Sequence, residues 1–328
     1  MVTIREVAKR AGVSVATVSR VLNKKGYVSP KTREKVEQSI HDLKYKPNDV
    51  ARSLFKGKSK MIALLVPDIM NPFFPELARS VEDICNSYGY TFVLCNTDHS
   101  IEKELAYLNA LQQKSVDGLI IVSSTLTGEH TKEINVPIIS LDRTFDTNLS
   151  NVKSNNRQGA RLAAEHLKVI DCKVIAHITG PENASNTEER KQGYLDVVKD
   201  EEWFSTDYIV SGDYNMQKAK DAIKKLLLEH PEIDGLFVGN DVMGAGALKA
   251  IEELEMQVPH DISIIGFDGI SLGETTTPTL TTVAQPIYKM GSRAAELLIE
   301  QINDPDIPKK TVEFPVELIE RQSTRKRR

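Results

Sequence analysis

Polar side chains recur in one kind of place in this 328-residue sequence, just past the end of an apolar run. Asn71-Pro-Phe-Phe74 follows MIALLVPDI, Asp142-Arg143 follows PIISL, and Tyr214 follows YIVSGD. Asn240-Asp241, Asp268 and Gln285 close three further apolar runs, and Arg190 follows the stretch ITGPENASNTEE. These residue types suit a polyol. Carboxylates and amides accept hydroxyl protons or offer paired hydrogen bonds, arginines donate to ring and hydroxyl oxygens, and aromatic rings cover C–H faces. Taken singly, each has a plainer reading: Asp268 in GFDG as a turn residue, Phe73 and Phe74 as core. Their shared position is what joins them.

The same residues imply no reaction. There is no Walker loop, no HExxH and no GxSxG, and Gly244-Ala-Gly246 lacks the third glycine of a dinucleotide-binding turn. The seven histidines are scattered, with His99 and His130 read as surface loop residues. Asp142 and Asp268 could be mistaken for a glycosidase pair, but sugar binding accounts for both. Cys85, Cys95 and Cys172 have no metal-ligand spacing and read as small buried hydrophobes. The expectation is no enzyme, no catalytic residue, no metal and no cofactor.

The elements that must hold these residues are legible from residue 61 onward. Strand-length apolar runs (MIALLVPDI, TFVLCNT, DGLIIVS, PIISLDR) alternate with helical patterns around 74–88 and 101–114. A second series (KVIAHITG, YIVSG, GLFVGN, SIIGFDG, TTVAQ) alternates with helices around 157–169, 187–199, 216–229 and 241–255. Apolar strands alternating with helices predict parallel sheets covered on both faces. Two series predict an α/β chain of two doubly wound subdomains with ligand between them, at the carboxyl ends of the strands. A last helix at about 288–303 and the segment 311–320 should cross back. The subdomains are then about 61–156 with 287–318, and about 157–286 with 319–328.

Charge is unevenly placed. Net charge is −4, yet residues 1–60 hold 15 Lys and Arg against 5 Asp and Glu, and the rest holds 27 against 41. A basic segment on an acidic body is the footprint of a polyanion-binding module. Within it, Ile4, Val7, Ala8 and Ala11 form a helical stripe, with Thr3 and Glu6 spaced as a capping box. Gly12-Val13-Ser14 breaks the pattern before a second helix from Val15 to about Asn23, whose inward residues are Val18, Val21 and Leu22. Two short helices joined by a glycine-containing turn follow the helix-turn-helix plan. A third helix runs from about Pro30 to Leu43, capped by Ser29, with Val36, Ile40 and Leu43 inward.

The string AGVSVATVSRVLN, within IREVAKRAGVSVATVSRVLNKKGYVSPKTREKV, resembles the headpiece of the LacI/GalR family of regulators. The resemblance implies that the second helix enters the major groove of double-stranded operator DNA. Val15, Ala16 and Arg20 then face base edges, Arg20 as the guanine reader. Thr3, Ser14, Thr17, Ser19, Asn23, Tyr45 and Asn48 match phosphate-contacting positions, which set register. Residues 49–56 resemble the family's hinge helix, too short to be stable alone. Leu54 matches the leucine that wedges into the operator centre, flanked by Ala51 and Arg52. The resulting division is a headpiece at 1–46, a hinge at 47–60 and an effector and dimerisation domain at 61–328.

The remainder resembles the type I periplasmic-binding-protein fold, which is also that family's effector domain. Asn71, Phe73, Phe74, Asp142, Arg143, Arg190, Tyr214, Asn240, Asp268 and Gln285 are similar in position to the pentose-contacting residues of bacterial ribose-binding proteins. Tyr214 departs from that pattern, which has phenylalanine there. The resemblance implies a transcriptional repressor of sugar-utilisation genes, a homodimer on a pseudo-palindrome, released by a small sugar, with ribose first. Sucrose, fructose or a sugar phosphate remain alternatives, and a phosphocarrier protein is a further partner known for some relatives. ERQSTRKRR carries no leucine heptads, so a dimer is expected rather than a tetramer. A stand-alone sugar-binding protein would need an export signal and would have no use for residues 1–60. No apolar run approaches the roughly 20 residues of a bilayer span, and MVTIREVAKR is charged where a signal peptide is apolar. A cytoplasmic protein without membrane contact is expected.

Overall fold

The computed structural model describes residues 2–24, 26–45 and 59–326, which form two compact units dividing at Ser59. The first is built from three short helices, α1 (Ile4–Ala11), α2 (Val15–Asn23) and α3 (Pro30–Asp42). Each starts on a side-chain cap. Thr3 and Glu6 close a capping box, Ser14 Oγ accepts from Thr17 N at 3.2 Å, and Ser29 Oγ accepts from Thr32 N at 3.3 Å. A cap of this kind contributes about 1 kcal/mol, a sizeable share for so small a unit. Gly12 ends α1 at φ 67°, a left-handed conformation that costs glycine little. Val7, Ala8, Ala11, Val18, Val21 and Val36 form the core, with Leu22, Ile40 and Leu43 packed at its edge. Ser39 is buried as well; its hydroxyl donates back to the Lys35 carbonyl at 2.8 Å, so the polar atom costs little.

The second unit holds two six-stranded sheets. The first comprises β1 (Met61–Val66), β2 (Thr91–Asn96), β3 (Gly118–Ile121), β4 (Ile138–Leu141), β5 (Ser150–Ser154) and β11 (Thr311–Phe314). Its order is β11-β5-β4-β3-β1-β2, and every pair is parallel. Helices α4 (Phe73–Ser87), α5 (Ile101–Gln113), α6 (Gly128–Thr131) and α12 (Ile287–Asn303) accompany it. In β1, Ile62, Leu64 and Val66 join the core cluster of α4 and α12, while Ala63 and Leu65 join that of α5. Burial on both faces explains why the strand reads as an unbroken apolar run.

The second sheet comprises β6 (Ile175–Thr179), β7 (Ile209–Ser211), β8 (Gly235–Val238), β9 (Ser263–Asp268), β10 (Thr281–Ala284) and β12 (Glu317–Ile319). Its order is β12-β10-β9-β8-β6-β7, with only the β10–β12 pair antiparallel. Its helices are α7 (Asn156–Val169), α8 (Ser185–Val198), α9 (Met216–Glu229), α10 (Asp241–Glu253) and the single turn α11 (Leu272–Thr275). The chain passes between sheets at 155, at 285–286 and at 315–316. It rejoins the second sheet at Glu317, two residues before the expected crossing.

Two differences from the sequence reading have physical causes. Strand β5, SNVKS, is too polar to read as a buried strand, yet four of its five residues are buried. Its polar groups are satisfied internally: Ser150 Oγ accepts from Gln301 Nε2 at 2.7 Å and from Lys310 N at 3.3 Å. His130 lies in α6 rather than in a loop, its Nδ1 accepting from Thr127 N at 3.0 Å. The three cysteines are free and buried. Among the described residues, no helix is long and apolar enough to cross a membrane, and no His/Cys/Asp/Glu cluster could hold a metal.

Candidate functional site

The carboxyl ends of the strands deliver the polar residues to one cleft between the two sheets. Its space of about 230 Å³ is lined by Asn71, Phe73, Phe74, Asp142, Arg143, Asn186, Arg190, Tyr214, Asn240 and Asp268. Two phenylalanines among otherwise polar side chains suit a small polar molecule that also carries C–H faces. Nine of the ten effector residues predicted from sequence are on this wall. Gln285 stands behind it, donating Nε2 to Asp268 Oδ1 at 2.8 Å and accepting a hydrogen bond from Ser154.

Three wall residues adopt left-handed backbone conformations that non-glycine residues avoid: Asp142 at φ 64°, Tyr214 at φ 52° and Asp268 at φ 113°. Such conformations cost on the order of 1–3 kcal/mol each and cluster at functional sites. Gly180 makes room for one of them, since a Cβ there would lie 2.3 Å from Tyr214 Cζ.

Hydrogen bonds already made decide which atoms remain for a ligand. Asn71 Oδ1 accepts from Phe73 N at 3.1 Å and Asn240 Oδ1 from Met243 N at 2.8 Å. Asn71 thus uses its oxygen to hold the turn into α4 and Asn240 uses its own to cap α10, and each keeps its nitrogen as the donor for the cleft. Asp142 Oδ1 and Arg143 Nε are buried without a hydrogen-bond partner. A buried acceptor and a buried donor left open side by side cost about 1–3 kcal/mol each or more, which a ligand carrying both functions would recover. Phe73 and Phe74 stand edge-to-face, 5.2 Å between centroids, and supply the apolar surface.

Arg190 is the most constrained wall residue. Its Nε donates to Asn156 Oδ1 at 2.9 Å and its Nη1 to the Gly239 carbonyl at 2.5 Å, and the guanidinium lies 3.8 Å over the Phe267 ring. Burial pushes Asp268 up to about 8, nearby Asp241 and Asp142 add to the rise, and Arg190 opposes it. Burial likewise raises Asp142, against the pull of Arg143 and Arg190. Asp241, expected only as Asn240's neighbour, holds the site's loops: its Oδ2 accepts from Gly269 N and Ile270 N, and its Oδ1 from Thr282 Oγ1.

Asn186, Thr187, Asn156 and Ser154 escaped the sequence reading. Asn186 Nδ2 donates to Asp142 Oδ2 at 3.0 Å, and Thr144 N donates to Ser185 Oγ at 2.8 Å, so the two walls are bonded to each other. Asn186 lies in the polar run ENASNTEE, which offers no apolar period to fix its facing. Only its four-residue spacing from Arg190, one helical turn, could have placed it on the same face.

On the first unit, Val15, Ala16 and Arg20 are exposed along one side of α2, while Val18 and Val21 fill the core beneath. Ser14 and Thr17 hydroxyls meet at 2.9 Å, and Asn23 Nδ2 donates to Ser19 O and Oγ at 2.9 and 3.1 Å. Thr3 is exposed in its capping box, and Tyr45 packs partly against the core. Tyr27, 87% exposed after Gly26, is a large aromatic that the sequence reading passed over. Asn48, Ala51, Arg52 and Leu54 lie outside the described residues.

Comparison with known proteins agrees with both halves. Residues 3–48 match the family described as bacterial regulatory proteins, lacI family, and residues 164–324 match the periplasmic binding protein-like domain. A ribose operon repressor of Halalkalibacterium halodurans is 50% identical, with 99% of this chain and 98% of that protein covered. A lac repressor dimer bound to operator superposes with a TM-score of 0.88 at 27% identity, covering 98% of this chain and 99% of that one. A LacI family regulator from Enterococcus faecium with bound ribose superposes with a TM-score of 0.73 at 31% identity, covering 80% and 98%.

Proposed function

The chain belongs to the lacI family of bacterial regulatory proteins and is a DNA-binding transcriptional repressor, and from that premise we propose that D-ribose is its effector. In this reading a homodimer holds a pseudo-palindromic operator of sugar-utilisation genes in the cytoplasm. The sugar enters the cleft, favours the bonded arrangement of its walls and weakens the grip on DNA. No reaction is catalysed; the cleft residues bind and release.

One observation carries the ribose reading: the open Asp142 Oδ1 and Arg143 Nε lie in a small cleft with Asp268, two amide donors and two phenylalanine rings. That set matches a compact polyol with hydroxyls on its edge and C–H groups on its faces. The identity to a ribose operon repressor and the likeness to a ribose-bound relative support the same choice.

The test is a thermal-shift screen of the full-length protein with ribose, ribose 5-phosphate, fructose and sucrose. A ligand at 100 times its Kd should stabilise by about 2.7 kcal/mol. Ribose should give the largest rise. A larger rise with another sugar would replace ribose as the effector.

A further inference from the structure

We propose that Tyr214 and Asn186 form a positioning pair that leaves Asp142 one carboxylate oxygen for the ligand, an inference that rests on the sugar reading above. Thr187 Oγ1 donates to Tyr214 Oη at 3.1 Å, Tyr214 Oη donates to Asn186 Oδ1 at 3.2 Å, and Asn186 Nδ2 donates to Asp142 Oδ2 at 3.0 Å. The chain of donors runs one way. Reversing the Asn186 amide would set its oxygen against the Asp142 carboxylate, acceptor against acceptor. The tyrosine hydroxyl, absent from the phenylalanine of the ribose-binding pattern, is what satisfies Asn186 Oδ1.

The consequence falls on Asp142. Its Oδ2 is engaged by Asn186 and lies 3.5 Å from Arg143 Nε, while its buried Oδ1 has no partner. A carboxylate free on both oxygens can bridge two neighbouring hydroxyls. Held in this way, Asp142 accepts one, and Arg143 Nε beside it donates to the adjacent oxygen. Asn186 stands on α8 of one subdomain and Asp142 follows β4 of the other. The carboxylate is therefore oriented only when the walls meet, which ties recognition to closure. The ring of Tyr214 is built in, with Gly180 clearing its place.

Calorimetry of D-ribose binding to the full-length wild type, Tyr214→Phe, Asn186→Ala and Asn186→Asp, between pH 5.5 and 8, tests the pair. Tyr214→Phe and Asn186→Ala should each weaken ribose about tenfold, the effect of one lost buried hydrogen bond, with melting temperatures near wild type. Asn186→Asp keeps the shape but donates to Asp142 only when protonated. The charged groups sharing its cavity are Asp142, Asp268, Arg143 and Arg190. Its ribose affinity should therefore recover toward pH 5.5 by a larger factor than any change in wild type. Wild-type affinity in Tyr214→Phe and Asn186→Ala, or a wild-type pH profile in Asn186→Asp, overturns the positioning role alone. Failure of wild type to bind ribose overturns the sugar reading and this inference with it.

Discussion

Arg190 faces Asp268 at 3.6 Å, yet its short hydrogen bonds go elsewhere, to the Gly239 carbonyl at 2.5 Å and Asn156 Oδ1 at 2.9 Å. The arginine is held by its own subdomain, and Asp268 is left with Gln285 as its bonded partner. A buried carboxylate so weakly compensated destabilises the protein that carries it. Binding sites often accept such a cost, because the atoms that a ligand must satisfy are the ones left unsatisfied without it.

That cost has a pH signature. Asp268 is pushed up to about 8 in the folded protein, against about 3.9 in an unfolded chain. Between these values the folded state holds a proton that the unfolded state has lost. Stability from this group is thus present at low pH and disappears as pH rises from about 4 through about 8. Asp268→Asn removes the dependence. At pH 8 the variant should be more stable than wild type by about 1 kcal/mol or more, at least about 2–4 °C in Tm, while ribose affinity falls. Burial also raises Asp142 and pushes Asp241 up to about 7, so both proteins keep a further slope of the same sign and only the Asp268 part is lost in the variant. Thermal melts from pH 5 to 9 decide it: parallel curves for variant and wild type would clear Asp268 of any role.

Arg20 is exposed on α2 beside Val15 and Ala16, a placement suited to reading guanine by a bidentate pair worth about 1–3 kcal/mol. Arg20→Ala should weaken a selected operator about 10- to 100-fold. Bulk DNA should bind nearly as before, since the basic charge on the segment changes by only one unit. Anisotropy titrations on operator and on random duplex at one salt concentration measure the ratio. An equal loss on both would make Arg20 a phosphate contact.

The sequence made the headpiece and the strand order legible for different reasons. The caps Thr3, Ser14 and Ser29 bracket each short helix, and local hydrogen bonds of that kind depend on residues three apart. The cleft residues were legible because a doubly wound sheet must bring strand ends together, whatever its details. What escaped depends on long-range partners. The polar strand β5 is buried because Gln301, Lys310 and Gln285, far along the chain, meet its serines. Asn186 faces the cleft because Asp142, 44 residues away, and Tyr214, 28 residues away, fix its amide. No apolar period encodes either.

Leu54 lies outside the described residues, and its role rests on the resemblance of residues 49–56 to a hinge helix. An exposed leucine that wedges into a base step exchanges a few kcal/mol of unstacking for a bent duplex with more contact. Leu54→Ala should abolish operator bending and most specific affinity while leaving non-specific binding nearly intact. Gel-shift titration with circularly permuted operator fragments reads both quantities. Equal losses on operator and random DNA would remove the wedge from the account.

Coupling between cleft and operator must be reciprocal. If ribose lowers operator affinity by some factor, saturating operator must lower ribose affinity by the same factor, because both reflect one free energy between the two bound states. A typical coupling of about 1–3 kcal/mol corresponds to 5- to 150-fold. Direct bonds between the walls, Asn186 to Asp142 and Thr144 to Ser185, give ribose a means to favour one arrangement over another, and only such differential affinity shifts the equilibrium. Operator anisotropy with and without ribose, paired with ribose calorimetry on free and operator-bound protein, should return matching factors. Sedimentation should show a dimer throughout, so that no change of assembly hides in either number. A rise in operator affinity with ribose would make the sugar a co-repressor, and unequal factors would require a second linked event such as dimer dissociation.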